Sequence, residues 1–399
     1  MTDLTQARTP QTAAGAAPDL QAFLSLGFRP LYIAGCAWAL IAIALWIFAP
    51  QWLGQPLGGV AWHAHEMLWG FIATIAVGFL LTASATWTGF NPLKGAGLAG
   101  LCVLWVVARL GLLFGGETGF HIACASVAAF FLISAVCLLR VMLKGNSRRN
   151  YGVPVLVLGL GLTDVLFLRA ALAGDYILLM QRFNLGLICM AVIALLIARR
   201  VIPFFSMRMV PGLTIPMQTR SGQVQLALSV LAILLGAVQW AAPMAAALAA
   251  TGLIALWQTI RWQPLAVRHK PLLWILYIGY AAMGVGLIAA GMHIAGLGTG
   301  VLQRSAAHVH IIGMGGFAVL IIGMVTRTAL GHLGRPLVLD GSMLLCYWLM
   351  IAAVVLRLAA LWPSGASLTL LQAAAVCWMG CMALYLWRFV PLLIRPRAK

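Results

Sequence analysis

Residues 62–86 read WHAHEMLWGFIATIAVGFLLTASAT, two histidines and a glutamate at the mouth of a run with no further charge. A helix needs about 20 apolar residues to cross a bilayer, and this stretch supplies them. The whole chain repeats the pattern. Of its 399 residues, 63% are hydrophobic and 8% charged, against about 25% charged in a soluble domain. That is too little polar side chain to coat a globular surface. The composition therefore predicts an all-α, polytopic membrane protein. Apolar runs fall at 31–50, 62–86, 95–114, 120–143, 152–172, 176–198, 222–241, 243–261, 271–292, 305–326, 340–361 and 367–390. These twelve spans make one transmembrane domain over 21–399. The polar, proline-containing segment 1–20 lacks the apolar core of a secretory signal and is expected to be a disordered cytoplasmic tail.

Loop charge orients the spans. Alternate connections hold Lys94; Arg140, Lys144, Arg148 and Arg149; Arg199, Arg200, Arg208 and Arg220; Arg261, Arg268 and Lys270; Arg327 and Arg335. With Arg8, Arg29, Arg388, Arg395, Arg397 and Lys399 from the ends, 20 of the 25 basic residues share one side. By the positive-inside rule that side is cytoplasmic, and so are both termini. The net charge of +18 therefore reflects topology. No basic run interleaved with aromatics lies outside the spans, which argues against nucleic-acid binding. The eight cysteines include no CxxC pair and read as small apolar packing residues; Cys377 and Cys381 share a helix face.

Two histidines, His269 and His332, fall in basic loops. The other six are His63 and His65 opening span 2, His121 opening span 4, His293 closing span 9, and His308 and His310 opening span 10. All six are expected at the outer face. His121 and His293, each alone, read first as interfacial residues and second as metal ligands. The two HxH pairs are metal or haem candidates, because ionisable groups inside spans are costly and are usually retained for function. Residues i and i+2 of a helix point roughly 200° apart at 3.6 residues per turn. One helical HxH therefore serves two sites better than it chelates one ion. Two pairs at equal depth can hold a haem between helices, one imidazole from each side, with a second haem or a metal nearby. Neutral imidazole suits haem iron and copper. Glu66 can accept a ring N–H or relay protons, so Glu66 and His65 are the catalytic candidates. Arg182 and Arg304 are candidates to pair with haem propionates. Asp164 is expected to form an ion pair with Arg169 or Arg109.

GFRPLYIAG (27–35), WHAHEMLWGF (62–71), GFLLTASATWTG (78–89), RRVIPFFS (199–206) and VTRTALGHLGRPL (325–337) together resemble the NnrS family, haem- and copper-associated bacterial membrane proteins tied to nitric oxide metabolism. The resemblance spans nearly the whole chain. It carries onto His63, His65, Glu66 and His310, and onto Arg29, Arg200, Arg327, His332 and Arg335; His308 matches less well. It implies haem b, with copper as a second candidate, and a role against nitrosative stress during denitrification. It also implies a bacterial inner-membrane location, with the metal site toward the periplasm. A more distant likeness is to the haem–copper oxidase fold, which has twelve helices in three groups of four and haem histidines on helices 2 and 10. Spans 6 and 7 carry no histidine, so that fold's three-histidine copper site is missing; Gln181, Arg182 and Asn184 stand at the mouth of span 6.

Three functions follow. One is an oxidoreductase that binds and reduces nitric oxide, fed by quinol or a cytochrome because the chain has no soluble redox domain. Another is a carrier of copper or haem, although carriers are usually built from two-fold repeats, which would not pair spans 2 and 10. The third is a membrane protein that binds nitric oxide without turnover. In each reading WHAHEMLWGF supplies half of a site whose other half includes His310; whether His63 or His65 faces it stays open.

Overall fold

A computed structural model describes residues 17–54, 56–216 and 218–398. Among these residues there is no strand. Twelve helices are long and apolar enough to cross a membrane: α1 Phe28–Phe48, α2 Gly59–Thr88, α3 Gly95–Phe114, α4 Gly116–Lys144, α5 Arg148–Leu172, α6 Tyr176–Met209, α7 Thr219–Ala237, α8 Ala241–Arg261, α9 Pro271–Ile294, α10 Ser305–His332, α11 Gly341–Ala359 and α12 Ser367–Leu393. The expected spans and the helices correspond one to one. The largest boundary difference is α6, which runs past Arg199 and Arg200 and through Pro203 to Met209. Charged residues end an apolar run but do not end a helix. Of the expected tail, residues 1–16 lie outside the described residues. Asp19 instead starts ordered structure: its carboxylate accepts the Gln21 N–H, and its own N–H donates to the Ile394 carbonyl at 2.9 Å.

Contacts across the loops test the alternation of faces. Asn91 donates to the Ser25 carbonyl, Arg140 to that of Pro92, Arg200 to Asn150, Gln263 to the Thr214 carbonyl and Arg388 to Asp340. All lie at the end where the basic loops gather. At the other end Gln239 donates to Gln181, and Arg304 to the Leu361 carbonyl. Arg29 sits at the end of α12, donating to the carbonyls of Leu393 and Arg395 at 2.8 and 2.6 Å, where a helix C-terminus favours a cation.

Neighbouring helices pack as three consecutive groups of four: α3 to α6, α7 to α10, and α11, α12, α1 and α2. The last helix of each group, α6, α10 or α2, turns inward, and these three touch one another. Close approach inside a group relies on small residues. Where α8 crosses α9, a Cβ added to Gly252 would lie 2.4 Å from the Gly284 carbonyl oxygen.

Two inner helices share a further irregularity. Glu66–Ala73 of α2 and Ile311–Ala318 of α10 are π-helical, and each segment starts immediately after an HxH. A π turn is wound more loosely than an α turn and frequently occurs at functional sites. Both segments face the centre of the bundle.

Candidate functional site

The two histidines of α2 part company, as their spacing requires. His65 turns toward α3 and α5 and is fully enclosed. Its Nδ1 lies 2.8 Å from Glu66 Oε1, and its Nε2 lies 2.8 Å from Asp164 Oδ1 on α5. Glu66 Oε2 in turn accepts from Trp38 Nε1 of α1 and from an Arg109 guanidinium N–H of α3. A carboxyl oxygen stands at each ring nitrogen of His65, so a proton on either nitrogen finds an acceptor. Arg109 and His65 are thereby set against Glu66 and Asp164, and four ionisable groups are buried as one network. Gly70 makes the room: a Cβ there would meet Glu66 Oε2 at 2.5 Å and Arg109 Nη1 at 2.6 Å. One turn further on, Trp105 Nε1 donates to Thr74 Oγ1 at 2.7 Å.

This quartet differs from the expected pairing. Asp164 meets His65 rather than Arg109 or Arg169, because α3 and α5 flank α2 on the side where the His-Glu dipeptide projects. Both nitrogens of His65 are taken, and neither His65 nor Glu66 reaches the cavity on the other side of α2.

His63 does reach that cavity. The cavity has a volume of about 310 Å³ and lies between α1, α2, α6, α10, α11 and α12. Trp46 lies parallel to the His63 ring, with centroids 5.2 Å apart and planes at 10°. His310 faces His63 from α10, with ring centroids 6.5 Å apart and planes at 19°. The Nδ1 of His310 donates to the Ala306 carbonyl at 2.7 Å, one turn back on its own helix, which leaves Nε2 as the nitrogen with a free lone pair. Nδ1 of His63 is buried with no partner among the described residues. Apart from the histidines, Ser305, Tyr176 and the Arg357 guanidinium supply the polar side chains of an otherwise apolar and aromatic wall. Arg357 has no hydrogen-bond or ion-pair partner among the described residues.

A haem fits these residues. It brings four nitrogens of its own and needs only axial ligands from the protein. Two imidazoles on one metal, each nitrogen at about 2.0–2.1 Å, set their ring centres roughly 6 Å apart, close to the separation of His63 and His310.

The other HxH histidine of α10 points elsewhere. His308 meets His293 of α9, with ring centroids 4.9 Å apart, and its Nδ1 is buried without a partner. His121 is exposed and touches only Phe120 among the aromatic rings. Among the described residues no three His, Cys, Asp or Glu side chains converge as a metal-binding group; the histidines come together as two pairs. Arg182 and Arg304 do not line the cavity, and Arg304 is spent on the Leu361 carbonyl. Arg357 escaped the sequence reading, although it is the one charged residue inside the apolar run of α11, and that isolation is the signal that marks it. Of the inner-face residues, Arg200 binds Asn150, Arg327 lies over the Phe205 ring at 3.7 Å, and His332 packs on Phe28.

A family model described as NnrS protein matches residues 22–397. The chain belongs to the NnrS family. The match covers both HxH motifs, Arg357 and all twelve helices. No curated protein matches the chain. Within this NnrS family chain, one pair of histidines lines a large cavity, a second pair bridges α9 and α10, and the remaining α2 histidine is locked into a charge network.

Proposed function

We propose that the cavity between α2, α10 and α11 holds a haem b and that the protein binds or reduces nitric oxide there, protecting a bacterium against nitrosative stress. The observation that carries this reading is the facing of His63 and His310 across an apolar cavity that also contains an unpartnered arginine. The haem would supply an iron able to bind a diatomic ligand and to change oxidation state. His310, held through Nδ1 by Ala306, is the fixed ligand. His63, whose Nδ1 has no such anchor among the described residues, would be the less firmly held of the two ligands. Arg357, without a partner among the described residues, would be the residue to hold the propionate carboxylates. His65 and Glu66 touch no ligand; they hold α2 against α3 and α5 so that His63 keeps its depth. His293 and His308 offer two imidazoles, the ligand type that suits copper. The loop charges support a cytoplasmic membrane location with the histidines toward the periplasm, and a quinol or cytochrome would supply the electrons.

Absorption and EPR spectra of purified protein, oxidised and reduced, with and without nitric oxide, test this directly. A Soret band with a low-spin signal that nitric oxide perturbs is expected. Folded protein from haem-replete cells that shows no Soret band, and takes up no haem on reconstitution, would overturn the reading. Nitric oxide consumption beyond one equivalent, with a quinol present, separates an enzyme from a binding protein. A two-fold carrier is less favoured, because the helices form three groups of four and not two halves.

Arg357 gives an independent check. A guanidinium beside a haem favours the ferrous state, which carries one positive charge less. Arg357→Leu is therefore expected to move the midpoint potential negative by tens of millivolts, about 59 mV corresponding to a tenfold change for one electron. Redox titration reads this shift, and an unchanged or more positive potential would place Arg357 away from the haem.

A further inference from the structure

A second cavity follows the first along the same three inner helices, toward the basic-loop face. It has a volume of about 90 Å³ and is partly open rather than sealed. Ile75 and Ala76 of α2, Ile193 and Ala194 of α6, and Phe317 and Leu320 of α10 form its main walls. Of all its lining side chains only Tyr32 contains a nitrogen or oxygen. Ile72 lines both cavities. On α6 the lining passes from Leu187 of the first to Met190 of the second, and on α10 from Met314 to Phe317. Each step is three residues, about 4.5 Å at α-helical rise. The partition between the cavities is therefore one layer of side chains, set in the π segments of α2 and α10.

Size and chemistry restrict what this space can hold. A buried water needs two to four polar partners, whereas apolar cavities stay dry and take guests such as xenon. Sites for drug-sized molecules occupy roughly 300–1,000 Å³, so a quinone ring is too large. An ion finds no ligand. We infer that the cavity is a binding site for a small, uncharged, apolar gas molecule, and that it is the last station before the His63–His310 cavity. Its position near the middle of α2 places it at the depth of the lipid tails, where an apolar gas is most soluble. Ile72 is the side chain such a molecule must pass. Occupancy of the cavity does not depend on the haem; its role as a route rests on the function proposed above.

Xenon is the probe. Crystals of the full chain under xenon pressure are expected to show one atom between Ala76, Ala194 and Phe317, lost in Ala194→Phe. If that variant does not fold, Ala76→Leu fills the same space from the opposite wall. Wild-type crystals that take no xenon there, or that show ordered water or an acyl chain in its place, would overturn the site whether or not haem is present. In haem-loaded protein, Ala194→Phe should slow nitric oxide association after flash photolysis several-fold while the absorption spectrum stays unchanged. An unchanged association rate beside clear xenon binding would remove the route and keep the site.

Discussion

His310→Ala is expected to abolish the low-spin haem spectrum and to leave the protein nearly free of haem, and His63→Ala is expected to abolish the low-spin signal. Losing the hydrogen-bond partner of a metal-bound histidine typically costs about 10–100-fold in affinity, and losing the ligand itself costs more. The two variants should differ in degree. His310 is the anchored imidazole, through its 2.7 Å bond to Ala306, whereas His63 Nδ1 has no partner among the described residues. Protein lacking His63 therefore retains some haem, held by His310 alone with an open position. His65→Ala is the contrasting case. Its ring faces Asp164 and Glu66 on the opposite side of α2, so folded protein should keep the low-spin signal, with at most a partial loss of haem passed on through α2. Haem content and EPR of the three variants, normalised to folded protein, decide the matter. A low-spin spectrum that survives His310→Ala but vanishes in His65→Ala would reverse the assignment.

The second large effect concerns stability. Glu66→Ala removes one carboxylate from a closed set of four ionisable groups and leaves Arg109 facing no counter-ion in the interior. Breaking a buried pair in this way typically costs about 3–5 kcal/mol. The cost arises from the stranded charge, so removing both partners should restore much of it. Glu66→Gln combined with Arg109→Met is expected to be less destabilised than the sum of the single variants, with a coupling of about 0.5–3 kcal/mol. Unfolding in mixed detergent–SDS micelles measures each term. A Glu66→Ala change within about 0.5 kcal/mol of the parent, the range of ordinary surface substitutions, would mean that the four groups do not form a coupled network. The same measurement bears on function. If α2 is held in register by this network, Glu66→Ala should also weaken haem retention at His63 without altering any residue of the cavity wall.

Particular residues show how much could be read before the fold was known. The sidedness of the histidines followed from loop arginines such as Arg148, Arg149, Arg199 and Arg200, because a chain of apolar spans alternates faces and each loop inherits its side. That an HxH serves two directions followed from helical geometry alone, and both pairs obey it: His63 and His65 diverge, as do His308 and His310. Glu66 was recognisable as a partner for an imidazole because it stands next to one. Asp164, Arg109 and Trp38 were not recognisable as one group with it. They lie on α5, α3 and α1, and nothing in their local sequence says which helices pack against α2. Arg357 was missed for a related reason: its importance comes from the cavity beside it and not from any motif around it.

Hydropathy, span length and loop charge act along the chain, residue by residue, and they suffice for twelve helices, their direction and the end of the bundle at which the six outer histidines gather. Which histidine meets which partner depends on helix rotation and on neighbours distant in sequence. The packing of three groups of four brings α2, α6 and α10 together, and loosely wound π segments follow both HxH motifs. That arrangement turns His63 toward His310, gives His65 to two carboxylates, and leaves Arg357 facing the same cavity as the first pair. Burial is the physical reason for the division: an apolar residue meets lipid and protein interior almost equally well, whereas a buried charge or imidazole must find its partner in the assembled bundle.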